Sequence, residues 1–152
     1  MQALADRFIY RDGWLYKKSN GNKCTLTNNM GYIRVSWDRG SLGRVREYAH
    51  RLIWFMHHGD IPKGAEIDHI DMDKTNNCIT NLRAVTRSGN AQNQRHKGYS
   101  FERRSGKYKA EIKLHGKTTW LGLHNTEADA RTAYLNAKAK LHPVASQGAL
   151  VY

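Results

Sequence analysis

The sequence predicts an α+β chain. It has β hairpins at the N-terminus, a strand–loop–strand–helix unit in the middle, and a three-stranded antiparallel sheet packed on one helix at the C-terminus. Three observations predict this. Tyr32, Arg34 and Ser36 alternate with Ile33, Val35 and Trp37, the period-two pattern of a half-buried strand. Turn pairs Asp12-Gly13, Ser105-Gly106 and His115-Gly116 separate such runs and suit tight hairpins. Two stretches change to helical character: the apolar run 50–59, and a stripe of Ala130, Ala133, Tyr134, Ala137 and Leu141, spaced for one helix face.

In chain order, residues 7–10 and 14–18 form the first expected hairpin, across Asp12-Gly13. Residues 31–37 and 44–51 form the second, across the turn region Asp38–Gly43. The run 50–59 stops at Gly59 with Pro62 beyond, so a short buried helix with a glycine stop is expected. Residues 66–70 and 82–85 are strand candidates around a loop rich in Asn and Asp, and Thr86 can cap a short helix over 86–96. Gly98 starts a new unit of three strands. In its middle strand Tyr108, Ala110, Ile112 and Leu114 face one way and Lys107, Lys109, Glu111 and Lys113 the other. In the third strand Thr119, Leu121 and Leu123 alternate with Thr118 and Trp120. Thr126 to Asp129 fits an N-terminal capping pattern with Asp in place of Glu, and His142-Pro143 ends the helix. The tail 146–152 can pack or fray; both remain open.

The chain has 152 residues, enough for one ordinary domain or roughly two to three very small ones. We divide it into an N-terminal β region with its connecting helix (1–60), a central core (61–97) and a sheet-plus-helix domain (98–152). The net charge of +12 favours a polyanionic partner, with nucleic acid first. The charge is uneven: the three segments carry +5, +2 and +5, and acids gather in the centre at Glu66, Asp68, Asp71 and Asp73. A polyanion binder that concentrates carboxylates is expected to use them for a metal. The two cysteines, Cys24 and Cys78, are far apart with no Cys-x-x-Cys pair, so a cysteine zinc knuckle is not expected and two reduced thiols are. The N-terminus lacks a long apolar run and no stretch approaches transmembrane length. A soluble, cytoplasmic protein without a membrane partner is expected.

The chemistry gathers between residues 68 and 90. Asp68 is a hard oxygen ligand suited to magnesium or manganese, and His69 is its neighbour. Phosphodiester hydrolysis needs an activated water and neutralisation of the leaving oxygen, and this pair can serve both needs. Successive strand residues point to opposite faces, so the pair serves one site only if the strand bends or ends there. Asn81, thirteen positions after Asp68, can accept from one imidazole nitrogen and leave the other as base. Asn90 can complete the metal site through its carbonyl oxygen, with Asn93 as a weaker rival. An EF-hand loop starting at Asp71 fails, because Asn76 replaces its Gly and Leu82 its Glu. His57 and His58 read as cap or surface residues. His50 either touches DNA or locks the helix to the site, and the second is preferred. His96, His115, His124 and His142 show no ligand grouping.

From about His50 to Asn93 the chain resembles the HNH endonucleases. The resemblance is carried by His50-Arg51-Leu52, Asp68-His69-Ile70-Asp71, Asn76-Asn77, Asn81-Leu82-Arg83 and Asn90. It is nearest to the phage and intron homing type, in which the last histidine of the motif is an asparagine. The resemblance implies a ββα-metal (His-Me finger) nuclease core in which Asp68 and Asn90 bind the metal. It implies that His69 activates water, that Asn81 orients His69, and that Asn76 and Asn77 hold the loop. With Asn90 in the last position, Mg2+ (or Mn2+) is implied and zinc is not.

Residues 98–141 resemble the plant APETALA/ethylene-response-factor DNA-binding domain, through Ala110-Glu111-Ile112-Lys113, Trp120-Leu121-Gly122 and the helix with Ala130 and Tyr134. That family lays its sheet in the DNA major groove. The resemblance places Lys113 and Trp120 on DNA-facing positions, with Lys109 and Glu111 on the same face. The first strand departs from the family around Ser100 and Glu102, though Arg103 and Arg104 lie close, so no target sequence carries over. The N-terminal hairpins, with Lys17, Lys18, Lys23, Arg34, Arg39, Arg44 and Arg46, either brace the core or extend the DNA track. The leading expectation is a metal-dependent homing endonuclease that nicks double-stranded DNA as a monomer. The alternative is a non-cleaving DNA-binding regulator with a decayed nuclease core. A third reading is an RNA-binding protein.

Overall fold

The computed structural model describes residues 1–145, so the tail 146–152 lies outside the described residues. Packing divides the chain into two compact units, Met1–Val85 and a second beginning at Thr86. This boundary falls inside the 61–97 segment expected to form one core.

The first unit opens with a helical turn that has no marked sequence signal, α1 (Gln2–Ala5). Strands β1 (Phe8–Arg11) and β2 (Trp14–Lys17) pair antiparallel in the expected hairpin. Its turn residues Asp12 and Gly13 both have positive φ, 47° and 81°, the geometry that matches strand twist. Strands β3 (Arg34–Asp38) and β4 (Arg44–Tyr48) form the second hairpin. Ile33 and Val35 are buried as their alternation predicts. Helix α2 (Ala49–His58) ends at Gly59, whose φ of 78° provides the glycine stop. Leu52 and Ile53 on α2 are fully buried at 0 % exposure, worth about 1.5–3 kcal/mol each. They meet Phe8, Leu15, Val35, Ile67 and Leu82 in one core. Strands β5 (Ala65–His69) and β6 (Leu82–Thr86) pair in a third two-stranded sheet. The core thus sits directly beneath the strand that ends in Asp68 and His69.

The second unit contains α3 (Arg87–Gln92), β7 (Tyr99–Glu102), β8 (Lys107–Leu114), β9 (Lys117–His124) and α4 (Glu127–Leu141). Thr86 caps α3 by accepting from Gly89 N at 3.1 Å, and Thr126 caps α4 by accepting from Asp129 N at 3.1 Å. The three strands run in the order β7-β8-β9, all antiparallel. Ala110 and Ile112 point to α4 and are buried.

Two expected faces are corrected. The β8–β9 register shifts between Ala110 and Glu111, so that Gly122 pairs Ala110 while Trp120 pairs Glu111. Leu121 is the extra residue, and such a bulge reverses the alternation beyond it. Leu123 therefore pairs Lys109 on the charged face, 39 % exposed, and does not join Thr119 and Leu121. On α4 the buried positions are Ala130, Tyr134 and Lys138, while Leu141 is 36 % exposed. A lysine can occupy the last buried turn because its Nζ donates to Gln94 O at 2.5 Å, which satisfies the charge that burial would otherwise strand.

Candidate active site

His69 is the last residue of β5 and is 3 % exposed. Its neighbour Asp68 points the other way, with 11 % of the side chain accessible. The strand ends at this pair, as a shared site requires. Arg83 on β6 grips Asp68: Nε and Nη2 donate to Oδ2 at 3.0 and 2.9 Å. This ion pair joins the two strands and orients the carboxylate.

The loop between β5 and β6 is a network of side-chain-to-backbone hydrogen bonds, the expected chemistry of Asn and Asp in turns. Asp71 Oδ1 accepts from Asn81 Nδ2 at 2.9 Å and from Asp73 N at 2.8 Å, and Oδ2 accepts from Asn76 Nδ2 at 2.7 Å. Burial pushes the Asp71 pKa up, but hydrogen bonds from Asn81, Asn76 and Asp73 outweigh it, and the net shift is down. Asp73 accepts from Thr75 N and Oγ1 at 2.9 and 2.7 Å, and these bonds lower its pKa. Both acids, initially attractive as metal ligands, brace the loop.

Asn81 does not have the partner expected from the sequence. Its Oδ1 accepts from Asp71 N at 3.1 Å, and its Nδ2 donates to Asp71 Oδ1 and to Asn76 O at 2.9 and 2.8 Å. The whole amide is committed to closing the loop. The residue against the His69 ring is Asn77, 1 % exposed, with Oδ1 2.9 Å from His69 Nε2. Asn77 Nδ2 donates to Thr75 O at 3.3 Å, so its oxygen faces the ring. An oxygen in that place can accept a hydrogen bond from Nε2. Asn76 and Asn77 look alike in sequence; only the loop's path separates a brace from a ring partner. Arg83 was more readable, since paired strands bring residues of one face together.

Behind His69 lies an aromatic wall. The His50 ring is 5.0 Å from the His69 ring, and Tyr32 is 5.2 Å from His50 and 6.0 Å from His69. Tyr48 stacks on His50 at 5.5 Å. Burial first, then the neighbouring His69 and Arg51, push the His50 pKa down to about 3. His50 Nδ1 has no hydrogen-bond partner among the described residues. A neutral ring packed against His69 fits the locking role preferred from the sequence. Burial, and then Asp68, Tyr48 and Glu66, raise the Tyr32 pKa.

Asn90 lies on α3 in the second unit and is half-buried, while Asn93, at the end of that helix, is 2 % exposed. Among the described residues no group of three or more His, Cys, Asp or Glu side chains is arranged to hold a metal. The Asp68 carboxylate and the Asn90 side-chain carbonyl are each hard oxygen donors, of the chemistry that suits a magnesium-like ion.

The sheet of the second unit exposes the predicted nucleic-acid face. Arg103 and Arg104 are exposed in the turn after β7. Lys109, Glu111 and Lys113 share one face of β8, and Trp120 on β9, 65 % exposed, pairs Glu111. Lys109 Nζ lies 2.7 Å from Glu111 Oε2, and that hydrogen bond raises the lysine pKa. Glu111 thus orients a lysine and tempers the charge of the face.

Residues 47–92 match the HNH endonuclease family. The match contains Asp68, His69, Asn77, Asn81 and Asn90. The chain is 37 % identical over 93 residues to DNA endonuclease I-HmuI of Bacillus phage SP01, covering 59 % of this chain and 52 % of that protein. It is 35 % identical over 72 residues to YosQ, an SPbeta prophage-derived protein of Bacillus subtilis strain 168, covering 46 % of this chain and 40 % of YosQ. The chain thus spans about half the length, or less, of these curated relatives. A solved structure described as DNA binding and cleavage by I-HmuI aligns with a TM-score of 0.48 at 30 % identity, over 58 % of this chain and 51 % of that one.

Proposed function

We propose that this chain is a metal-dependent DNA endonuclease of the HNH homing type, hydrolysing phosphodiester bonds and nicking duplex DNA as a monomer in the cytoplasm. If it is phage-encoded, that is the host's cytoplasm. The observation that carries the reading is the buried His69, held by Asn77 beside an Arg83-gripped Asp68, inside the segment that matches HNH endonucleases.

His69 takes the proton of the attacking water through the ring nitrogen that Asn77 leaves basic. The aromatic wall of His50, Tyr32 and Tyr48 keeps the ring from turning away. Asp68 and Asn90 are the residues that would hold the divalent ion, magnesium or manganese. When bound, this ion neutralises charge on the leaving 3′ oxygen. Asn81 keeps the loop closed, so that Asn77 stays at the ring. Inversion at phosphorus leaves a 5′-phosphate and a 3′-hydroxyl. The C-terminal sheet, which resembles the APETALA/ethylene-response-factor domain, holds duplex DNA through Arg103, Arg104, Lys109, Lys113 and Trp120, with Glu111 orienting Lys109. Lysines on such a face mostly hold phosphates and supply affinity before sequence information.

The test is supercoiled plasmid with magnesium or with chelator. Wild type relaxes the plasmid only with magnesium, and His69→Ala binds DNA normally without cutting. Retained magnesium-dependent nicking by His69→Ala would refute the assignment. Binding without cutting by wild type would instead support a DNA-binding regulator.

A further inference from the structure

The segment joining α3 to the sheet has little apolar anchorage of its own. Gln94, Arg95, His96 and Lys97 are all exposed. Yet this segment is fastened at successive points by α4 and the residues just after it. Gln92 Oε1 accepts from Val144 N at 3.3 Å. Gln94 O accepts from Lys138 Nζ at 2.5 Å. His96 O and Lys97 O accept from Arg131 Nη1 at 2.5 and 2.9 Å. Gly98 closes against Tyr134 so tightly that a Cβ there would lie 2.0 Å from the ring.

Lys138 is the telling member. It is 0 % exposed, on the same stripe as Ala130 and Tyr134. An apolar side chain of similar length would fill that place without desolvating an ammonium, and such replacements are often neutral or stabilising. Burial, with Arg131 adding to it, lowers the Lys138 pKa to about 8. The charge is thus retained at a cost, and what it gains is a grip on the backbone two residues beyond α3.

We propose that Lys138 and Arg131 are positioning residues, which clamp the segment after α3 to α4 and so hold the helix carrying Asn90 in register with the DNA-facing sheet. This rests on the reading of Asn90 as a metal ligand. The clamp touches neither the ion nor the DNA. It acts by denying α3 the freedom to move independently of the unit that grips the duplex.

The test uses the full chain as wild type and as Lys138→Met, which keeps the stem and removes the ammonium. Amide exchange across 87–97 rises by about tenfold or more in the variant while β8 stays protected, as local opening predicts. DNA affinity, measured with calcium to prevent cutting, stays within about twofold, and half-saturating magnesium for nicking rises about tenfold, the lower end for residues that orient a ligand. Unchanged exchange across 87–97 overturns the clamp. So does an unchanged magnesium requirement in a variant that nicks. If Lys138→Met does not fold, Arg131→Lys keeps a charge but loses the two-carbonyl reach, and carries the same expectations. A wild type that does not nick refutes the nuclease reading; the exchange comparison still judges the clamp itself.

Discussion

At the scale of single residues, two asparagines exchange the weight that the sequence assigned them. Asn81 closes the loop with three side-chain hydrogen bonds, and Asn77 meets the His69 ring. Their substitutions are expected to differ in kind. If the chain is the proposed nuclease, Asn77→Ala lowers the nicking rate by roughly 10- to 100-fold, with DNA affinity and thermal stability little changed, as for residues that orient a catalytic group. Asn81→Ala removes several bonds at once and lowers unfolding stability by about 1–3 kcal/mol. Paired nicking rates and urea midpoints check this; similar stability losses in both variants would remove the distinction. His50 supplies a pH dependence with a definite sign. Its folded pKa, about 3, lies below the unfolded value of 6.5, so the unfolded chain binds the extra proton between them. Its stabilising contribution is complete above about pH 6.5 and is lost as the pH falls toward 3. His50→Gln is expected to flatten the decline in unfolding free energy from urea titrations between pH 6 and pH 4, by on the order of 1 kcal/mol per pH unit. An equally steep decline in the variant would contradict the neutral, buried ring.

At the scale of elements, turn and cap chemistry was legible because it is local. The positive-φ turn at Asp12-Gly13, the glycine stop of α2 and the threonine caps of α3 and α4 depend on residues only a few positions apart. The bulge was not legible. Nothing near Leu121 marks an inserted residue except Gly122, whose φ of 114° becomes meaningful only once β8 is beside it. The same holds for Gly98, which reads as a boundary in sequence but is pressed against Tyr134 with φ 75°. Gly98→Ala must both strain the backbone and displace a buried ring, and is expected to destabilise the second unit by roughly 2–4 kcal/mol. Two-dimensional NMR would show that unit's signals collapse while those of residues 1–85 persist. A fully native spectrum with an unchanged melting temperature would deny the close approach.

At the scale of the whole molecule, charge and sites follow different divisions. The net charge of +12 favours polyanionic partners, and any affinity it supplies falls as salt rises, whichever face is used. If the β8–β9 face holds the duplex, Lys113→Ala with Trp120→Ala weakens binding at every salt concentration. It also reduces the slope of log affinity against log salt by about one, for the lost lysine. Gel-shift titrations across several salt concentrations measure this. An unchanged slope and affinity would move the DNA track elsewhere, with the basic N-terminal hairpins the next candidates. The candidate residues are themselves divided: Asp68, His69, Asn77 and Asn81 belong to the first unit and Asn90 to the second.

By itself the sequence determined the α+β class and nearly every strand and helix, and it offered Asp68, His69, Asn81 and Asn90 as candidates. Those signals lie in periodicity, turn residues and a motif of fixed spacing, all of which are properties of a chain read in order. Only the tertiary structure decided which asparagine meets the histidine, that Arg83 grips Asp68, that Leu123 turns to the charged face, and that Lys138 is buried. Each of these depends on which groups, distant in the chain, arrive within hydrogen-bond or packing distance, and a one-residue change of register or loop path reverses the answer.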